Sequence, residues 1–178
     1  MNINISYYSS QLLAAIMFIT YPLFKVDEEQ RLNCKNNTLL QNMKNKFYHT
    51  NFSHLVVDCA SILFLGNFER DIGRDDFNKS FILSLFMVSL LQTIIQNTVD
   101  DLPCEYGFLT VSFSIGTIEI CSNYDLCTLV SLLILIMGIT MYSLNNKEYL
   151  YVNEFLGFVS GLIICIINTY CNGIFKNL

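Results

Sequence analysis

The chain has 178 residues, 53% of them apolar and 14% charged, with a net charge of −5 and a mean hydropathy of +0.44. That composition excludes an ordinary soluble globule, in which about a quarter of residues are charged. It also leaves no basic cluster for nucleic acid or for an anionic membrane surface. The length suits one domain, residues 1–178, and the apolar stretches leave no room for a separate soluble one.

Runs of about 17–25 apolar residues are the length that crosses a bilayer core. The sequence predicts six, at Tyr7–Phe24, Ser53–Phe68, Phe77–Ile95, Tyr106–Cys121, Leu126–Leu144 and Tyr149–Tyr170. The first lacks a basic leader, and Tyr21-Pro22-Leu23-Phe24 is no small-residue cleavage site, so it reads as a helix ending near Pro22 and not as a signal peptide. The longest connection, Lys25–Tyr48, follows it and mixes charges with the apolar pair Leu39-Leu40. The second and fourth runs are short and carry polar residues, which neighbouring helices have to shield from lipid. The other connections, Glu69–Asp76, Gln96–Glu105, Ser122–Asp125 and Asn145–Glu148, are short and make consecutive helices antiparallel neighbours. The expected fold is an all-α membrane protein, a six-transmembrane-helix bundle with its fourth helix the most enclosed. In the last run Gly157 and Gly161 form a GxxxG face on which two helix backbones can approach closely.

Charge does not orient the bundle. Lys25, Arg31, Lys35, Lys44 and Lys46 draw the first connection toward the cytosol, while Arg70, Arg74 and Lys79 draw the second there as well. The seven cysteines have no CxxC spacing. Cys59, Cys121, Cys165 and Cys171 lie in or beside apolar runs and read as small packing residues. Cys34 and Cys104 lie in connections and pair if that side is oxidising. Triplets for N-glycosylation start at Asn4, Asn36, Asn51 and Asn78, as expected by chance in so asparagine-rich a chain, and only Asn36 lies clear of the expected spans. The N-terminus lacks the arginines of a mitochondrial presequence, which favours a secretory-pathway membrane.

One segment carries a specific pattern: His49, four residues, His54, three residues, Asp58, then Leu65-Gly66, Glu69 and Gly73. It resembles the second helix of the rhomboid family, in which an asparagine takes the place of Asp58. The resemblance covers the whole chain in hydropathy and residues 49–73 in motif. It implies a rhomboid-like bundle, with the long first connection partly embedded, both termini cytosolic and the first connection outside. Rhomboid proteases cut peptide bonds within the membrane with a serine on the fourth helix and a histidine on the sixth. A histidine and an asparagine on the second helix donate to the oxyanion.

Carried over residue by residue, the resemblance implies a degenerate site. Gly107 matches the first glycine of the serine motif and Phe113 an aromatic that commonly follows, which puts Leu109 at the nucleophile. Counting back from Gly157 puts Glu154 at the base; His54 is kept, and Asp58 replaces the oxyanion asparagine. Leucine has no atom to attack a carbonyl, and a carboxylate repels the charge an oxyanion hole has to stabilise. Both histidines of the chain, His49 and His54, fall in the second-helix motif, so none is left as base. Thr110 and Ser112 are the nearest replacement hydroxyls, and Thr110 points about 100° around the helix from Leu109.

The polar residues inside the expected spans, His54, Asp58, Glu119 and Glu154, read first as an internal network joining helices two, four and six, with Asp58 paired to His54 one turn away. The expected function is that of an inactive rhomboid-like protein that binds transmembrane segments of client proteins in the bilayer, in quality control or trafficking, without cofactor or metal. Two alternatives stay open: an active serine protease with a non-standard site, and a small proton- or metal-handling membrane protein using the His and carboxylates.

Overall fold

The computed structural model describes residues 9–23, 36–99, 104, 106–123 and 152–170. Every element among them is helical. Helix α1 (Ser9–Thr20) follows the first apolar run and closes in a single 3-10 turn, Tyr21–Leu23, at the proline that has no N–H for a further helical bond. Inside the first connection lies a short helix, α2 (Leu39–Asn45). It opens on a reciprocal cap, with Gln41 N–H donating to Thr38 Oγ1 and Thr38 N–H donating to Gln41 Oε1 at 2.7 Å.

The second apolar run is divided. Helix α3 (Phe52–Phe64) is capped by Asn51, whose side chain accepts the His54 N–H at 2.8 Å, and α4 (Gly66–Ile72) restarts one residue later. The chain then turns back through Gly73, φ 87°, into α5 (Arg74–Thr98). Helices α6 (Leu109–Asn123) and α7 (Val152–Tyr170) complete the described elements. The expected fifth span, Leu126–Leu144, and Cys34 lie outside the described residues.

Two polar ties fix the ends of this bundle. At one end Glu69, almost wholly buried, accepts the Ser10 N–H at 2.9 Å and the Ser10 hydroxyl at 2.7 Å, together with the Ser9 N–H. A carboxylate there meets both the unbonded N–H groups and the positive dipole end of α1. At the other end buried Asn42 of α2 donates from Nδ2 to Thr93 Oγ1 at 2.9 Å and to Gln96 Oε1 at 3.0 Å on the last turns of α5. The Asn45 carbonyl accepts the Gly107 N–H at 3.2 Å, so α2 also holds the entry to α6.

At 25 and 19 residues, α5 and α7 are about 37 and 28 Å long, against a bilayer core of about 30 Å, and both are long and apolar enough to cross a membrane. Helices α1 and α6 are apolar but shorter. An apolar core that includes Leu55, Ile62, Phe77, Val88, Phe108 and Ile115 is interleaved with buried polar side chains, and large apolar side chains also face outward. Ser80, Ser84, Ser89, Gln92, Ser114 and Ser160 are buried, while Leu12, Ile19, Phe64, Ile82, Phe86 and Ile166 face outward.

Among the described helices α6 has the largest share of buried residues, and it is flanked by α3, α5 and α7. Its contact with α7 is made at the backbone. A Cβ on Gly157 would overlap the Thr110 carbonyl oxygen and lie 2.9 Å from Phe113 Cβ; one on Gly161 would lie 2.5 Å from the Ser114 carbonyl oxygen. The order of these contacts makes α6 and α7 parallel.

Candidate functional site

Asp58 stands two turns into α3 with no solvent exposure. Its Oδ2 accepts the Phe108 N–H at 2.5 Å, just ahead of α6, and lies 2.9 Å from His49 Nε2. In the tautomer that suits a carboxylate the His49 Nε2–H is the donor. The pairing expected from helical spacing is present as the looser contact: His54 Nε2 is 3.7 Å from the same oxygen, within ion-pair range but beyond a good hydrogen bond. His49 precedes α3 and is folded back over it, buried, with the Tyr21 ring edge-on to it and the His54 ring 5.5 Å away. Asp58 Oδ1 and His49 Nδ1 are buried and have no hydrogen-bond partner.

The close approach of α3 to the start of α6 depends on Gly107. Its φ of 96° lies in the left-handed region, and an added Cβ would overlap His54 Nε2 and sit 2.6 Å from Asp58 Oδ2. Phe108 seats its ring between Phe47 and Phe81, stacked on Phe81 at 5.4 Å. The Asp58 carboxylate therefore works as an anchor at the N-terminal, dipole-positive end of α6, supplied by another helix.

The structure brings His49, His54, Asp58 and Gly107 together, and it keeps Gly157 and Gly161 on the α6–α7 seam. Gly66 passes the Ser10 hydroxyl, Gly73 makes the turn into α5, and Glu69 holds α1 at the far end of the bundle. Glu154 lies half-buried in the first turn of α7, and Glu119 half-buried on α6. Of the two replacement hydroxyls, Ser112 is bonded to Ser61 of α3 at 2.8 Å. Thr110 is buried, with its carbonyl beneath Gly157. Among the described residues no group of three or more His, Cys, Asp or Glu is placed to hold a metal ion.

Leu109 faces a different feature. It is half-buried and lines an open groove of ≈ 440 Å³ between α3 and α6, walled by Phe64, Leu65, Phe113 and Ile120 and floored by Phe158. The Ser61–Ser112 pair and Thr117 are the polar side chains on its lining. Ser61, like Asn42, was not singled out by the sequence. Serine on an apolar helix is too common to signal a cross-helix bond.

No family model matches this sequence, and neither a curated protein nor a solved structure shows significant similarity to it.

Proposed function

We propose that the chain is a multi-pass, rhomboid-like membrane protein without proteolytic activity, and that it receives transmembrane segments of other proteins in the groove beside Leu109. The observation that carries this reading is the use made of Asp58. In a rhomboid protease the residue at this position turns a donor toward substrate. Here the side chain is an acceptor, and its Oδ2 is taken by the Phe108 N–H and His49. An oxyanion hole needs free donors aimed at developing charge, and this geometry turns the group inward.

Three further observations support the reading. Gly107 meets the His54–Asp58 face, and Gly157 and Gly161 meet α6, as the motif assignments require. Apolar side chains face outward on α1, α3, α5 and α7 over an interior rich in serine, the arrangement favoured where helices associate in lipid. The parallel run of α6 and α7 needs a return path between Asn123 and Val152, for which the Leu126–Leu144 run has the length. The groove is apolar where Leu109 stands in for a nucleophile, so an apolar helix fits it and a hydrated peptide bond does not.

Two measurements on the full chain in liposomes test this. A serine-directed fluorophosphonate leaves the protein unlabelled, and model transmembrane substrates stay uncut. A photo-crosslinker at position 109 captures an added transmembrane peptide. Labelling that is lost in Ser112→Ala or Thr110→Ala would restore a hydrolase. Crosslinking only to residues 124–151 of the same chain would assign the groove to this protein's own segment and remove the client.

A further inference from the structure

The three glycosylation triplets among the described residues, at Asn36, Asn51 and Asn78, are not equivalent once the helices are placed, and a cysteine separates them. Asn36 is exposed, with φ 80°, a left-handed conformation that asparagine tolerates. It precedes Thr38, the cap of α2. Helix α2 is bound to the C-terminal turns of α5 and, through Asn45, to Gly107. Cys104 lies in that same stretch between α5 and α6, buried and disulfide-bonded. Disulfides persist where the compartment is oxidising. The disulfide-bonded Cys104 at the α2 end gives the bundle a polarity that its charges do not.

We infer that Asn36 is an N-glycosylation site, on the end of the bundle that carries α2 and Cys104 and faces the lumen or exterior. The other candidates fit less well. Asn51 spends its side-chain oxygen capping α3, Asn78 lies in the second turn of α5 at the Glu69 end, and Asn4 lies outside the described residues. Transfer joins the Asn36 amide nitrogen to the anomeric carbon of a lipid-pyrophosphate-linked oligosaccharide. The bond from that carbon to the pyrophosphate oxygen breaks, the lipid pyrophosphate leaves, and the amide proton passes to a base of the transferase. Because Thr38 Oγ1 is engaged with Gln41 in the folded protein, transfer precedes the closing of α2. In the finished fold the modified side chain stands in solvent.

The test is translation of the full chain with endoplasmic-reticulum microsomes, followed by endoglycosidase digestion and gel electrophoresis. The expected result is a slower band that collapses on digestion. It is absent in Asn36→Asp, which keeps a residue suited to the left-handed conformation, and retained in Thr38→Ser, which keeps both cap and triplet. A chain that inserts but gains no band overturns the assignment. So does a band lost in Asn78→Gln, which reverses the bundle, or one lost in Asn51→Gln while Asn36→Asp keeps it. The glycan is read without any assay of proteolysis or client capture, so its fate and that of the functional reading are independent.

Discussion

Replacing Asp58 by alanine tests the anchor at the start of α6. The substitution strips acceptors from two buried donors, the Phe108 N–H at 2.5 Å and His49 Nε2 at 2.9 Å. Each buried group left without a partner costs about 1–3 kcal/mol, so the two donors together lose about 2–6 kcal/mol. A loss of roughly 4 kcal/mol lowers the melting temperature of a chain this size by roughly 8–16 °C. Asp58→Asn loses much less, about 1 kcal/mol, because its carbonyl keeps the Phe108 N–H and its amide can donate to the other His49 tautomer. The chain has no tryptophan, so unfolding in detergent is followed by circular dichroism. A thiol-reactive dye that reports exposure of Cys59, Cys121 and Cys165 gives a second signal. His49→Ala is expected to cost more than His54→Ala, since the His54 side chain is a quarter exposed and 3.7 Å from the carboxylate. An Asp58→Ala melting temperature equal to that of the parent, or a larger loss from His54 than from His49, would refute the anchor.

Further substitutions address the other ties. Gly157→Leu drives a side chain into the Thr110 carbonyl, which as backbone cannot rotate away; it is expected to cost about 3 kcal/mol or more by overpacking and to expose Cys165 to alkylation. Gly66→Ala approaches only the rotatable Ser10 hydroxyl, at 3.3 Å, and its melting temperature stays near that of the parent. Glu69→Ala removes the acceptor of the Ser9 and Ser10 donors, at about 1–3 kcal/mol for each donor left buried. Because Cys59 Sγ donates to the Ala14 carbonyl of α1, release of α1 reads out as faster alkylation of Cys59.

How far the sequence reached depended on the range of each signal. Apolar runs marked α1, α5, α6 and α7 because a helix that sheds polar residues over that many positions has few other homes. The run Ser53–Phe68 hid a break at Leu65, since hydropathy is blind to a one-residue interruption between apolar neighbours. Spacing put His54 and Asp58 on one helical face and so proposed them as partners. They are partners at 3.7 Å, and the shorter contact, at 2.9 Å, comes from His49, nine positions away and outside the helix, where periodicity has no bearing. Glu69 stood out only as part of a pattern. Its partners, Ser9 and Ser10, are about sixty positions away, and nothing local to either segment joins them.

The backbone nearby accounts for a carboxyl group at position 58. An asparagine amide there would offer one acceptor and two donors, and the donors would need acceptors to face. The start of α6 presents the opposite, a backbone N–H at the positive end of a helix, and His49 supplies a second donor beside it. A carboxylate satisfies both with one oxygen and brings no donor that must be satisfied in turn. Residue 58 thereby serves the join between α3 and α6, while the groove that Leu109 lines lies to one side of it and does not include its side chain.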